Sequence, residues 1–326
     1  MILRKIRFDD AFDQSGLRNF DALGYPYHRF FKGGGLTFNH CTFVAKTTTL
    51  LPRVGNMPLK PDGMTPAQLR PKCIHVSVRS FLHGAAINAV GLSGPGLAAL
   101  LAQGVWDHYP RPFMISVMSV APSLDERLAE ISKIRQMLTA HPKFQSPFGI
   151  QLNMSCPNVE HEQQVEAVVV ETRRCLAILR KLGDVPLVVK INTLFPIEAA
   201  LEICKDPNCD AQCNSNTLPW KDLPVEQRLL LFGCQESPLS QFGGGGVSGA
   251  YLLPLVMEWV HKARQAGLRK PIIAGGGILK PVDVEQLADV GASAVAIGSV
   301  AFLRPWRVQR IINRANELGQ WGAFRY

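Results

Sequence analysis

Residues 271–277, PIIAGGG, form a short apolar run that ends in three glycines, and residues 293–299, SAVAIGS, repeat the same design. A segment of helical period, 281–289, separates the two runs. Short, near-continuously apolar runs that alternate with helical segments are typical of buried parallel strands in βα units. In α/β barrels the loops after the last two strands commonly bind a phosphate, because glycine lets backbone N–H groups approach its oxygens. The residues expected to line this phosphate site are Gly276, Gly277, Gly298 and Ser299.

The same alternation extends back to about residue 110 and predicts an α/β fold, a (β/α)8 TIM barrel formed by one domain over residues 1–326. The predicted strands are 42–46, 113–120, 148–153, 186–191, 210–216, 271–275 and 293–298, with the eighth near 85–90 or close to the N-terminus. The predicted helices are 124–138, 162–182, 250–266 and 281–289. Segments 50–112 and 219–245 lack this alternation of strands and helices. We expect them to be long loop excursions over the C-terminal face, where barrel enzymes have their active sites.

The composition indicates a globular chain, with 47% apolar and 19% charged residues. The formal charge of +9 suits an anionic small molecule, nucleic acid or an acidic membrane surface, and the dispersed basic residues select none of them. Eight cysteines without a signal peptide or an apolar run of about 18 residues predict a cytoplasmic protein with no membrane partner. Cys204, Cys209 and Cys213 match no zinc or iron–sulfur spacing, so we expect no metal site.

Residues 153–158, NMSCPN, place a thiol between two carboxamides at the end of a predicted strand. Each carboxamide offers a donor and an acceptor, as a neutral heterocycle with alternating C=O and N–H groups requires. A cysteine titrates at about 8.5 and can abstract a proton in a water-poor site. Cys156 is therefore a candidate general base, and Asn153 and Asn158 are candidate ligands of a ring.

Polar side chains also lie at the predicted ends of three further strands, namely Lys46, Lys190 and the pair Asn216-Thr217. A lysine at this end of a barrel strand can neutralise an anionic group of a ligand or substrate. A third glycine-rich approach, 243–249, precedes the helix predicted at 250–266. No G-x-G-x-x-G with an acidic residue about 20 positions further on joins a strand to a helix, so the phosphate of a mononucleotide fits better than a dinucleotide.

Together these motifs resemble the dihydroorotate dehydrogenase family, in its soluble class 1 with a cysteine base. The resemblance covers nearly the whole chain and rests on 46–49, Pro52-Arg53, Gly55-Asn56, 88–92, 153–158, Val189-Lys190, Asn216-Thr217, Ser248-Gly249, Gly276-Gly277 and Gly298-Ser299. The membrane-bound class of the family has serine at the position of Cys156 and an N-terminal hydrophobic extension, neither of which is expected here.

The resemblance implies FMN as cofactor and oxidation of dihydroorotate to orotate in de novo pyrimidine biosynthesis. Cys156 would take a proton from C5 while a hydride passes from C6 to N5 of FMN. The implied substrate-binding residues are Lys46, Asn88, Val90, Gly91, Leu92, Asn153, Asn158, Asn216 and Thr217. The implied FMN-binding residues are Ser15, Lys46, Thr47, Ser119, Asn153, Lys190, Ile191, Ser248, Gly249, Gly276, Gly277, Gly298 and Ser299.

The resemblance also implies a homodimer and a soluble electron acceptor. Ser119 and the absence of cluster-type cysteines favour fumarate, and a separate electron-transfer subunit is the alternative. Three segments depart from the family pattern. Gln14-Ser15-Gly16 stands where Ala-Ser-Gly is usual, the run 30–35 (FFKGGG) is atypical, and so are the loops within 218–246.

Three other functions stay open at this point. One is a flavin barrel that acts on another dihydropyrimidine. The second resembles tRNA-dihydrouridine synthases, although the chain shows no clustered basic residues and no separate RNA-binding domain, so nucleic acid is not expected. The third is a non-catalytic barrel that binds a nucleotide, and the presence of Cys156, Lys46 and Lys190 together speaks against it.

Overall fold

In the computed structural model, which describes residues 1–154 and 165–318, eight parallel strands form a closed barrel. The barrel strands are β1 Ala11–Asp13, β2 Val44–Thr48, β3 Phe113–Val117, β4 Phe148–Asn153, β5 Leu187–Ile191, β6 Ala211–Asn214, β7 Ile272–Gly275 and β8 Ala294–Ile297. Each strand pairs with its neighbours along the chain, and β8 pairs with β1. A parallel bridge from Phe12 to Thr42 joins β1 to the residues before β2 and closes the barrel. The predicted TIM barrel is confirmed.

Alternate residues of the barrel strands fill two separate apolar layers. The interior layer includes Phe12, Val44, Met114, Val188, Cys213, Ile273 and Ala294, and an N-terminal hairpin, Ile2–Leu3 with Ile6–Arg7, packs Leu3 against it. The outer layer includes Ile115, Ile150, Val189 and Val295 and lies against the surrounding helices. Burial on both faces explains why these strands read as continuous apolar runs rather than alternating ones.

The described residues contain ten α-helices and five 3-10 segments. The helices are α1 Val78–Leu82, α2 Leu97–Ala102, α3 Leu124–Thr139, α4 Val165–Leu179, α5 Ile197–Lys205, α6 Val225–Phe232, α7 Leu252–Gln265, α8 Pro281–Asp289, α9 Val300–Leu303 and α10 Val308–Glu317. The 3-10 segments are Pro26–Gly34, Arg180–Leu182, Trp220–Asp222, Ser240–Phe242 and Pro305–Arg307. As predicted, Ser123 caps α3 and Pro281 begins α8. None of the helices in this part of the chain has the length and apolarity to cross a bilayer.

Two distant stretches of chain meet in a second, antiparallel sheet, which we call the side sheet. Its strands, in spatial order, are Leu218–Pro219, Gly246–Gly249, Ala85–Asn88 and Ile74–His75. Their buried side chains form an apolar cluster of their own with Trp220 and Phe232. Of the two positions predicted for the eighth barrel strand, the N-terminal one is right. The one near 85–90 is wrong, because that run pairs within the side sheet.

The ends of three barrel strands differ from the prediction. β2 continues to Thr48, so Lys46 lies inside the strand and not at its end. β3 stops at Val117, which places Ser119 in the following loop. β6 stops at Asn214, and Asn216 lies two residues later, in the connection to the side sheet. In each case the polar residue still lies at or just beyond the carboxyl end of the barrel.

Candidate active site

A connected set of hydrogen bonds joins the carboxyl ends of β1, β2, β3 and β5. The Lys190 ammonium of β5 donates to Ser15 Oγ at 3.1 Å, just after β1. Ser15 Oγ lies 3.1 Å from Thr47 Oγ1, and Thr47 Oγ1 lies 2.9 Å from Ser116 Oγ of β3. Lys190, Thr47 and Ser116 are buried. We call Ser15, Thr47, Ser116, Asn153, Lys190 and Asn216 the mouth cluster.

Two asparagines extend the mouth cluster to β4 and β6. Asn153 Nδ2 lies 3.4 Å from Thr47 Oγ1 as a donor, and Asn216 Nδ2 donates to Asn153 Oδ1 at 3.0 Å. The backbone N–H of Asn216 donates to the carbonyl of Ile191, the last residue of β5, at 3.1 Å. Each side chain is thereby oriented by a neighbour, so the cluster presents a fixed pattern of donors and acceptors to a ligand.

A bulge in β2 explains how Thr47 reaches this cluster. The register between β2 and β3 shifts between Ala45 and Thr48, so that β2 contains one more residue than β3 over this span. Regular alternation from Val44, which faces the interior, would turn Thr47 outward. The extra residue changes that direction, as bulges beside active sites commonly do, and places the Thr47 hydroxyl against Ser116.

Lys46, next to Thr47 in β2, lies against the loop that follows the side-sheet strand Ala85–Asn88. Its ammonium donates to the Ser93 carbonyl at 2.7 Å and lies 5.0 Å from the centre of the Phe20 ring. Burial lowers the pKa of Lys46 to about 7, with a small opposing effect from Cys73. An anionic ligand placed beside this amine would favour its protonated form.

The loop 88–93 is held in a strained shape. Gly91 and Leu92 both adopt left-handed backbone conformations, with φ of 69° and 61°. Leucine rarely does so, and such strain is common where a loop must shape a binding site. Asn56 fixes the loop, because its N–H donates to the Val90 carbonyl at 2.9 Å and its side chain donates to the Ala89 carbonyl at 2.7 Å.

The glycines predicted to bind phosphate lie in two adjacent loops after β7 and β8. Among the described residues, no backbone carbonyl accepts a hydrogen bond from the N–H groups of Gly276, Gly277, Gly298 or Ser299. A Cβ on Gly277 would lie 2.6 Å from the backbone N of Leu253, near the start of α7, so only glycine allows this approach. Four N–H groups at two loop ends suit the oxygens of a phosphate.

Four of the other predicted residues lie in the side sheet or next to it. Ser248 and Gly249 end the side-sheet strand opposite Ala86 and Ala85. Asn88 ends its strand opposite Gly246, and Thr217 follows Asn216. Ser119 lies further from the mouth cluster along the loop, and its hydroxyl donates to the Glu130 carboxylate of α3. Cys156 and Asn158 lie outside the described residues.

Sequence reasoning missed several residues of the site. Ser116 was inside a predicted strand, and its position two residues after the inward-facing Met114 was the available signal. Ser93 and Ser215 carried no signal, and Gln14 was noted only as a departure from the Ala-Ser-Gly usual in the family. Ser215 Oγ donates to Gln14 Oε1 at 3.0 Å, and the stem of Gln14 packs against Gly298. In the described part of the chain, no three His, Cys, Asp or Glu side chains group as metal ligands would.

A barrel with a polar mouth cluster, and with two loops after β7 and β8 that offer backbone N–H groups, defines an enzyme that binds a phosphate-bearing ligand. The sequence profile described as dihydroorotate dehydrogenase matches residues 39–318. This match covers most of the chain, and the chain therefore belongs to the dihydroorotate dehydrogenase family, in its class 1.

Relatives from two branches of the family are similar to this chain. The catalytic subunit of dihydroorotate dehydrogenase B (NAD(+)) from Anoxybacillus flavithermus is 30% identical over 231 residues, 69% of this chain and 68% of that one. Dihydroorotate dehydrogenase A (fumarate) from Lactiplantibacillus plantarum is 28% identical over 234 residues, 69% and 70% of the two chains. A crystal structure of the Eimeria tenella dihydroorotate dehydrogenase with ferulenol matches with a TM-score of 0.67 at 19% identity, over 99% and 85% of the chains, which supports the fold.

Enzymes of this family are FMN flavoproteins, and the residues present here fit that group. The four N–H groups described above are not bonded to a backbone carbonyl of the described residues and can donate to a terminal phosphate, and the mouth cluster supplies donors and acceptors for a polar ring. Both features lie at the same end of the barrel, which matches a ligand that has a phosphate at one end and a heterocycle at the other.

Proposed function

We propose that this protein oxidises dihydroorotate to orotate with FMN, as a step of de novo pyrimidine biosynthesis. The observation that supports it most is the mouth cluster, in which Lys190, Ser15, Thr47, Asn153 and Asn216 are joined by hydrogen bonds at the carboxyl ends of the barrel strands. Ser15 and Thr47 were selected from the sequence by the family resemblance, and Lys190, Asn153 and Asn216 also by their places at the ends of predicted strands.

In this proposal the loops of Gly276, Gly277, Gly298 and Ser299 would hold the FMN phosphate, and the mouth cluster would hold its ring. Ser248 and Gly249 contact it from the side sheet, and Ile191 holds the backbone that orients Asn216. The bound FMN supplies the acceptor for the hydride that leaves C6 of the substrate. The chain's own residues bind, orient and deprotonate.

Substrate binding is assigned to Lys46, Asn216, Thr217 and the loop from Asn88 to Leu92. Lys46 would pair with the carboxylate, and the anion would return this buried amine to its charged form. The asparagine side chains would each meet a ring N–H or C=O. Cys156, three residues beyond Asn153, would take the C5 proton, and Asn158 would contact the ring.

The electron acceptor we propose is fumarate, as in the fumarate-linked relatives. Fumarate is a small planar dicarboxylate, and Lys46 can form an ion pair with it as it would with the substrate carboxylate. The chain would act as a homodimer. Reoxidation of the dihydroorotate-reduced protein by fumarate, without a second subunit, is the expected result. Reoxidation by NAD only after a partner subunit is added would contradict this part of the proposal.

The assignment of Cys156 is tested by anaerobic mixing with dihydroorotate, which bleaches the flavin absorbance. Cys156→Ala should keep FMN but lose about 10²–10⁴-fold in the rate of bleaching, because a general base is removed. Cys234→Ala, which changes a thiol near α6, is the matched control and should bleach at the normal rate. A normal rate in Cys156→Ala would refute the role of this thiol, and a wild-type protein that dihydroorotate does not bleach would refute the proposed substrate.

A further inference from the structure

Cys204 and Cys209 form a pair of thiols that the candidate active site does not use. Cys204 lies in the last turn of α5, and Cys209 lies just before β6. The two side chains are hydrogen-bonded to each other, and neither belongs to a disulfide. The pair lies at the amino end of β6, apart from the residues at the carboxyl ends of the strands that are proposed to bind flavin and substrate.

The connection from α5 to β6 holds the two thiols together. The N–H of Cys209 donates to the Asp206 carbonyl at 3.1 Å, and the N–H of Asp206 donates to the Ile203 carbonyl at 3.1 Å. The Lys270 ammonium, from the segment before β7, donates to the carbonyls of both Asp206 and Cys209. This compact connection keeps residues 204 and 209 close to each other without a covalent bond.

A contact between two thiols is particular to this pair within residues 1–154 and 165–318. The five other cysteines there are Cys41, Cys73, Cys175, Cys213 and Cys234. None of them has another thiol among the groups that shift its pKa. A disulfide requires two side chains at close range, and this pair meets that requirement.

The two thiols differ in charge and in exposure. Cys204 is 7% exposed and Cys209 is 1% exposed. The hydrogen bond from Cys209, together with the positive charges of Lys270 and Arg264, lowers the pKa of the Cys204 thiol against the effect of burial. The same hydrogen bond and burial raise the pKa of Cys209. Because the thiolate is the nucleophile and reactive cysteines lie in electropositive surroundings, Cys204 is the thiol that reacts first.

We propose that Cys204 and Cys209 are a site of reversible oxidation, at which hydrogen peroxide converts the two thiols to an intramolecular disulfide. The Cys204 sulfur attacks one peroxide oxygen, so that an S–O bond forms, the O–O bond breaks and one water leaves. Cys209 then attacks the sulfur of this sulfenic acid, so that the S–S bond forms and a second water leaves with the proton of the Cys209 thiol. Two thiols and one peroxide give one disulfide and two waters, and an external dithiol restores both thiols by exchange.

Two simpler roles fit this pair less well. A metal ion would need further ligands, and no group of three His, Cys, Asp or Glu side chains occurs in the described part of the chain. Buried cysteines often serve as small apolar side chains. Here, however, Cys204 Sγ donates to Gln212 Oε1 at 3.4 Å and Cys209 Sγ donates to the Ala211 carbonyl at 3.5 Å, so both thiols lie in polar surroundings.

The test is peptide mapping of the full chain, and its readout does not depend on turnover or on the proposed substrate. The native protein is treated with hydrogen peroxide, quenched in acid, alkylated with N-ethylmaleimide and digested with trypsin. Trypsin cleaves after Lys205, so Cys204 and Cys209 fall in separate peptides, 191–205 and 206–221. We expect peroxide to link these two peptides within a single chain, and dithiothreitol to separate them.

Substitutions distinguish the roles of the two thiols. Cys209→Ser should abolish the link and leave a sulfenic acid on Cys204, which dimedone labels. Cys204→Ser should abolish the link and leave Cys209 without the label. Cys213→Ser is the matched control, because Cys213 lies in the same tryptic peptide as Cys209, and this variant should keep the link. Circular dichroism shows whether the variants fold, and fragmentation of the linked wild-type peptides locates the bond independently of them.

Three results would overturn the proposal. The first is that peptides 191–205 and 206–221 stay unlinked while peroxide modifies the more exposed Cys234. The second is a link that persists in Cys209→Ser and is lost in Cys213→Ser, since Cys204 would then pair with the thiol inside the barrel. The third is a link found only between two chains, as a dimer in non-reducing denaturing electrophoresis.

Discussion

Barrel strands pair with neighbours that follow one another along the chain, whereas the side sheet joins residues 74–88 to residues 218–249. The two sheets also carry different parts of the site. The barrel orients the mouth cluster through hydrogen bonds between strand ends, and the side sheet shapes the loop 88–93 and presents Gly249. The pairing of distant segments costs more chain entropy than the pairing of adjacent βα units. We therefore expect the side sheet to be more sensitive to backbone changes and less important for retaining the flavin.

The largest expected effect is the loss of stability caused by Gly249→Ala in the side sheet. Gly249 has φ of 115°, and a Cβ there would lie 2.0 Å from the Gly84 carbonyl oxygen, so the side sheet cannot pair as it does now. We expect a loss of more than about 3 kcal/mol in the free energy of unfolding, measured by urea titration. Gly267→Ala, with φ of 91° and no heavy atom within 4 Å, is the control and should lose about 1 kcal/mol. Equal losses would show that backbone strain alone accounts for the effect.

The next largest expected effect distinguishes a residue that binds the flavin from one that binds the substrate. Lys190→Ala removes a charged donor from the mouth cluster and should weaken FMN binding about 10–100-fold, since such hydrogen bonds contribute about 1.5–3 kcal/mol. Asn88→Ala, in the side sheet, should keep FMN and raise the KM for dihydroorotate about tenfold. Flavin content after gel filtration and steady-state kinetics measure the two effects. Loss of flavin from both variants would contradict the division of roles.

Lys46 gives a pH-dependent effect on the order of 2 kcal/mol. Its pKa is about 7 in the folded chain and 10.5 for an exposed lysine, the value expected in the unfolded chain. Between these two pH values the unfolded chain therefore binds more protons. The free energy of unfolding should therefore rise with pH across this window, by about 1.4 kcal/mol per pH unit from this residue. The measurement is urea unfolding near pH 7 and near pH 9 for wild type and Lys46→Met, without ligand. If the variant shows the same rise, Lys46 does not cause it.

Gln14→Ala should have the smallest effect. The variant removes the acceptor of the Ser215 hydroxyl and the stem that packs on Gly298, and alanine is the residue usual in the family at this position. We expect a loss of about 1 kcal/mol in stability and a near-normal rate of flavin reduction. A tenfold change in that rate would mean that Gln14 contacts the substrate or the flavin.

The barrel was predictable because each βα unit repeats a local pattern of apolar residues and glycine. Two elements carried no such pattern. β1 is only three residues long, too short to show a period, and Ala85–Asn88 is as apolar as a barrel strand because it is also buried. Pairing partners depend on residues far away in the chain, which periodicity does not record.

The candidate site was predictable where a motif is contiguous. Gly276-Gly277 and Gly298-Ser299 were found from glycines after strands, and Lys190 from its place at a strand end. Ser116 and Ser93 were missed, because a lone serine in an apolar strand or a loop has no distinctive neighbours. The direction of the Thr47 side chain depends on the bulge in β2, and no residue type in 45–48 indicates that the strand contains an extra residue there.

That bulge makes the site sensitive to the number of residues in β2 as well as to their types. Deletion of one residue between Ala45 and Thr48 would restore an unbroken ladder with β3, a gain in regular hydrogen bonding. The pairs Ala45–Ile115 and Thr48–Val117 would keep their register, and a single residue would remain between them opposite Ser116. Because only Lys46 and Thr47 lie between these pairs, the site would lose either the Thr47 hydroxyl or the Lys46 amine. Recombination among relatives would therefore tolerate many substitutions in this strand but no change in its number of residues.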